Sequence, residues 1–293
     1  LNIILPLGVS FFTFQSISYV VDVYRKLIKP EKKFIYFGCY IIFFPQLVAG
    51  PILRAKEVIH QFKKINKFDL SIFFDGARRV VYGLFLKVVL ADNLHVLVDK
   101  GFSLPLDSLS GIDVWTLAFL FGFQIYFDFS GYSHIAIGSA KLVGIHFPEN
   151  FNFPYLSNSP REFWKRWHIS LSSWVRDYIY LPLSKIKPKN QSLGGLGKVF
   201  ENKKDIKPLI ITWAIMGFWH GANWTFLLWG IYHAIIIILY RLLRNMNLTN
   251  SDNSKFIIGW FLTTPLIMLS WIPFRANSIE DTLIMWGKVI NPL

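Results

Sequence analysis

KPLIITWAIMGFWHGANWTFLLWGIYHAIIIILYR, running from Lys207 to Arg241, decides how this chain is built. The 33 positions between those two basic ends contain no Asp, Glu, Lys or Arg. At the rise of an α-helix they would make one rod of about 50 Å, or two spans each somewhat short of the usual 20 or so residues. Two glycines and an asparagine interrupt the apolar run between Gly217 and Asn223, so a broken hairpin is expected, with His220 set within the membrane slab. Ionisable groups at such depth are costly and usually functional.

The rest of the composition agrees with a membrane solvent. Of 293 residues, 53% are hydrophobic and 17% aromatic, and the mean hydropathy is +0.39. These values exclude an ordinary soluble two-domain protein. The formal charge of +13 reads first as basic loops beside anionic lipid. Nucleic acid is the weaker explanation, because the cations lie between apolar segments and no nucleic-acid motif accompanies them. The single Cys39 rules out an internal disulfide and reads as a packing residue, and no metal site is expected. The chain opens on Leu1 directly into an apolar run, which leads us to expect a missing upstream helical portion ahead of one membrane domain spanning 1–293.

Apolar segments run approximately over 3–23, 34–53, 80–98, 114–127, 209–240 and 256–274, and lipid requires that helices carry them. The second contains Pro45, Gly50 and Pro51 and has basic flanks on both sides, Arg25, Lys26, Lys29, Lys32 and Lys33 before it and Arg54, Lys56, Lys63, Lys64 and Lys67 after it. Two cytoplasmic flanks imply a re-entrant or sharply bent element. Lys185, Lys187, Lys189, Lys198, Lys203, Lys204 and Lys207 mark a cytoplasmic loop, from which the hairpin goes out and returns to Arg241 and Arg244. The expected fold is all-α: a polytopic transmembrane helical bundle with re-entrant and interfacial helices.

REFWKRWHISLSSWVRDYIY, Arg161 to Tyr180, reads as the interfacial helix. At 100° per residue Trp164, Trp167, Leu171, Trp174, Val175 and Tyr178 share one face, while Arg161, Lys165, His168, Ser172 and Arg176 form an adjacent polar stripe. With Arg166 nearby, the stripe suits either lipid headgroups or the phosphates of a nucleotide-like donor. Asp128, followed by Ser130, Gly131 and Ser133, interrupts another apolar run and is expected to face a polar interior, as a buried ion-pair partner or a catalytic group. His220 is the strongest catalytic candidate, since a desolvated neutral imidazole serves as a general base toward a hydroxyl. The plainer alternative is that it joins Trp219 and Asn223 in locking the hairpin. Gly217, Gly221 and Gly230 would admit either a substrate or a neighbouring helix. His134 and His233, in apolar helical surroundings, read as structural. Sequences for a P-loop, a GxSxG elbow, an HExxH pair or a CxxC pair do not occur.

The set LPLGVSFFTFQSISYVVDVYR, FPQLVAGPILR, QIYFDFSGYS, NFNFPYLSNSPREFWKRWHISLSSWVRDYIYLPLS and GFWHGANWTFLLWGIYHA resembles the membrane-bound O-acyltransferase (MBOAT) family, within it the alginate O-acetyltransferase branch. The resemblance covers nearly the whole chain in order. It implies that His220, in the WHG block, is catalytic, and that His168, in the RWHISLS block, is the second family histidine. It further implies that acetyl passes from cytoplasmic acetyl-CoA, a substrate rather than a bound cofactor, toward hydroxyls of an extracytoplasmic polysaccharide. An SGNH-type acetyltransferase would be the partner, and the cell inner membrane the location. Arg161, Lys165, Arg166 and Arg176 become candidates for the donor phosphates, and Asp128, Trp219 and Asn223 for cavity support. SGYS is followed here by His134, where the branch usually carries Asp. A DltB-like D-alanyl transfer from a carrier protein to teichoic acid is the nearest alternative, and a non-enzymatic transporter or scaffold is a different class.

Overall fold

In a computed structural model the described residues are 8–47, 50–64, 68–185, 206–243 and 252–290. Lys67, Arg244 and most of the basic loop (Lys187, Lys189, Lys198, Lys203 and Lys204) lie outside them. Helices carry the described structure: α1 Val9–Tyr24, α2 Phe34–Ile42, α3 Ala55–Phe62, α4 Leu70–Leu84, α5 Asp92–Phe102, α6 Gly111–Leu142, α7 Pro160–Arg166, α8 Ile169–Val175, the single turn α9 Leu181–Leu183, α10 Ile206–His220, α11 Trp224–Leu243, α12 Asp252–Arg275 and α13 Ile279–Ile290. Among the described residues four helices are long and apolar enough to cross a membrane: Leu70–Phe102, Gly111–Leu142, Trp224–Leu243 and Ser254–Arg275.

The described residues group into two compact units. One takes in those of Leu1–Leu90, Tyr126–Phe151 and His168–Trp174; the other, those of Ala91–Ile125, Asn152–Trp167 and Val175–Leu293.

In the first unit α4 and the later half of α6 run antiparallel at close range, because glycines meet glycines. A Cβ on Gly83 would sit 2.6 Å from the Gly131 carbonyl oxygen, and one on Gly138 would sit 2.7 Å from that of Gly76. Without an aqueous hydrophobic effect, such backbone proximity is how lipid-embedded helices gain packing energy. Lys141 and Asp75 pair across the same two helices, and Arg79 holds Glu149. The 34–53 segment is bent, as read: α2 stops at Ile42, ahead of Pro45, and a short 3-10 turn, Phe44–Gln46, follows.

In the second unit the hairpin forms as its sequence demands. α10 ends at His220 and α11 begins at Trp224. A helix of 15 residues is about 22 Å long, short of the roughly 30 Å hydrocarbon core. Gly217 and Gly230 lie against the backbones of Phe226 and Trp213, so these two glycines serve helix packing.

The stretch 161–180 differs from the one continuous helix expected. It breaks at His168, whose φ of 42° is left-handed, and resumes as α8 and a π-helical turn, Arg176–Tyr180. Its tryptophans serve separate clusters. Trp164 enters the ring cluster around His233, whereas Trp174 packs on Phe14 and donates to its carbonyl at 3.0 Å. The polar stripe is likewise dispersed, since His168, Ser172 and Arg176 are buried.

Candidate functional site

His220 is the last residue of α10, and three chain elements surround its ring. Trp219 precedes it, with centroids 4.6 Å apart. From α11, Trp229 meets it edge-on at 5.0 Å, and from α12, Phe274 does so at 4.9 Å. Trp229 and Trp271 are each 1% exposed and pack in a nearly parallel pair. The rings exclude water from most of the imidazole, yet no hydrogen bond from a described residue engages its nitrogens. A neutral imidazole so held keeps a lone pair for a proton from outside the protein.

Four residues further along α11 than Trp229 lies His233, fully buried. It meets Trp229 at 4.8 Å and stacks on Trp213 at 5.2 Å. Trp164 of α7 donates its indole N–H to His233 Nδ1 at 3.3 Å, so the REFWKRW block and the WHG hairpin meet inside this unit. The structural role expected of His233 fits this burial and these contacts. The available signal was its place four residues after Trp229, on the same face of α11.

His168 belongs to the other unit. It is 2% exposed, lies edge-on to Phe129 at 4.6 Å, and has its Nδ1 3.2 Å from Asn150 Oδ1. Because that oxygen only accepts, Nδ1 is the protonated nitrogen of the neutral ring. Asn150 is itself fully buried and works as a junction. Its Oδ1 accepts from Ser170 Oγ at 2.8 Å, its Nδ2 donates to Ser133 Oγ at 3.0 Å, and its carbonyl accepts from Ile169 N at 2.9 Å. This junction fixes the left-handed turn at His168.

The other candidates fall into distinct places. Asp128 forms an ion pair, its Oδ1 2.8 Å from Lys87 Nζ, but both side chains are partly exposed rather than buried as expected; Lys87 sits in a π-helical stretch, Phe85–Ala91, that joins α4 to α5. Asn223 is exposed, and its Oδ1 accepts from Thr225 N at 3.1 Å, a helix-capping contact for α11. Of the four cations, Lys165 is exposed and Arg161 half-buried. Arg166 is engaged by Glu162, with Nη2 at 2.7 Å from Oε1, and Arg176, 7% exposed, by Asp177.

A family model described as MBOAT, membrane-bound O-acyltransferase family, matches residues 26–275. The chain belongs to the membrane-bound O-acyltransferase family. It is 39% identical, over 99% of its length and 54% of the relative's, to the probable alginate O-acetylase AlgI of Azotobacter vinelandii. It is 36% identical to the peptidoglycan O-acetyltransferase of Helicobacter pylori, over 99% of the chain and 58% of that relative. A more distant relative, the teichoic acid D-alanyltransferase of Streptococcus thermophilus, is 30% identical over 92% of the chain and 68% of its own length. The chain thus spans about half the length of the alginate relatives it matches. Family and long apolar helices together make this a multi-pass membrane protein.

Proposed function

We propose that the protein moves acetyl from cytoplasmic acetyl-CoA toward hydroxyls of an extracytoplasmic polysaccharide, with His220 as general base. The observation that carries this is the His220 imidazole, enclosed by Trp219, Trp229 and Phe274 with its nitrogens unengaged by any described residue. Family membership supports the reaction class. The identity of 39% to an alginate O-acetylase, against 30% to a D-alanyltransferase, favours acetyl over D-alanyl as the group moved. His168 is assigned donor binding or proton transfer, Arg161 and Lys165 the donor phosphates, and an SGNH-type acetyltransferase the role of partner at the cell inner membrane.

Transfer from radiolabelled acetyl-CoA by the protein in proteoliposomes tests this, with wild type compared against His220→Ala. Consumption by wild type alone supports both the reaction and its base. Full turnover by a well-folded His220→Ala protein removes the base assignment. Failure of wild type with acetyl-CoA, alongside transfer from a D-alanyl carrier protein, replaces the donor.

A further inference from the structure

The ring cluster beside His220 contains more hydrogen-bond donors than it can satisfy. Since an indole nitrogen only donates, the contact from Trp164 makes His233 Nδ1 the accepting atom. The neutral His233 ring therefore carries its proton on Nε2. That Nε2 has no hydrogen-bond partner among the described residues, and the same holds for the indole Nε1 atoms of Trp213, Trp229 and Trp271. These four side chains are between 0% and 2% exposed, and each ring is within 6.4 Å of another in the group. Buried polar groups are partnered in about nine cases of ten, so four orphans in one cluster call for a common explanation.

The chemistry of the orphans restricts the occupant. All four are N–H donors, and their side chains offer an incoming group no acceptor beyond weak π faces. A water molecule would bring two hydrogens of its own into such a lining. A carbonyl oxygen, which only accepts, suits it, and an oxygen gaining negative charge suits it better.

We infer that His233 Nε2–H, together with the indole N–H of Trp229, receives the carbonyl oxygen of the acyl group beside His220 and stabilises its oxyanion. Trp229 is the ring shared by the two histidines. The inference rests on the acyl-transfer reading and names the second catalytic group of that site. As the acceptor hydroxyl oxygen bonds to the thioester carbon, its proton passes to His220, and the carbonyl π pair moves onto oxygen between the two N–H groups. Collapse re-forms the carbonyl and breaks the C–S bond, and the departing thiolate takes the proton back from His220. Donors aimed at the developing charge act most strongly in a site closed to water.

The test uses the protein in lipid nanodiscs with acetyl-CoA labelled by 13C at the thioester carbonyl, read by infrared difference spectroscopy and by steady-state turnover. In wild type the bound carbonyl band should lie below its frequency in an apolar solvent. His233→Phe should move the band up and lower kcat about a hundredfold, the loss typical of one oxyanion donor, with KM little changed. His233→Gln, which keeps an N–H donor, should recover part of both. Should His233→Phe fail to accumulate, His233→Gln and Trp229→Phe carry the test, each with a partial shift. A folded His233→Phe protein with the wild-type band or wild-type kcat overturns the inference while leaving the acyltransferase reading intact. Equal losses in the Phe and Gln variants without a band shift make His233 a packing residue and also overturn it. If wild type neither binds nor consumes the thioester, the proposed function falls and this inference with it.

Discussion

Asn150 Oδ1 and His168 Nδ1 lie 3.2 Å apart, both buried, and that contact closes a turn whose backbone no ordinary helix tolerates. Asn150→Ala would remove the acceptor for His168 and Ser170 and the donor to Ser133 in one step. Stranding buried polar groups costs about 1–3 kcal/mol each in the worst case, and partial relaxation brings the expected loss to roughly 2–4 kcal/mol. Thermal unfolding in detergent should show it, and an unchanged Tm would mean that the junction contributes nothing to stability.

Lys87 and Asp128 form a pair between α6 and the π-helical stretch that follows α4. Both side chains are partly exposed, at 30% and 43%, so the coupling should be modest. A double-mutant cycle with Lys87→Met and Asp128→Leu is expected to give about 1 kcal/mol, with the double variant more stable than the sum of its singles implies. Strict additivity would remove Asp128 from any structural role with Lys87.

How much of this was legible beforehand differs by element. The hairpin could be read because Gly217–Asn223 breaks an uncharged run, a strictly local signal. The helix from Gly111 to Leu142 runs well beyond the apolar stretch at 114–127, because Asp128 and Ser133 face partners that only the fold supplies. The 161–180 stretch misled for the opposite reason. Its period fits one amphipathic helix, but Asn150, eighteen residues upstream of His168, imposes the break. Periodicity registers which residues share a face, and it carries no information about a distant side chain that competes for the backbone. The surroundings of His233 were illegible on the same ground, since the Trp164 contact that sets its tautomer spans 69 residues.

The glycine crossing makes a comparative prediction. Gly83→Ala places a methyl 2.6 Å from the Gly131 carbonyl oxygen, where backbone would have to move. An expected loss of about 1–3 kcal/mol follows. A Cβ at Gly287, inside α13, meets nothing within 4 Å, and Gly287→Ala should instead stabilise by about 0.5–1 kcal/mol through helix propensity. Equal shifts at both sites would argue against close packing of α4 on α6.

The four cations that are candidates for the donor phosphates should separate on mutation. Lys165 is exposed and Arg161 half-buried, and these two are the cations proposed for the donor phosphates. Arg176 is buried with Nη2 3.0 Å from Asp177 Oδ2, and Arg166 is held by Glu162. A cation near a charged ligand at a membrane face contributes about 1 kcal/mol, which corresponds to roughly a fivefold change in affinity. Arg161→Gln and Lys165→Gln should therefore each raise KM for acetyl-CoA by about fivefold with kcat preserved, and the effect should shrink in high salt. Arg176→Gln should act on the fold instead, lowering Tm because Asp177 loses its buried partner, with KM unchanged in the protein that remains folded. If all four substitutions raise KM alike, the cations form one anion site despite their ion pairs. If none does, Arg161 and Lys165 serve the lipid headgroups.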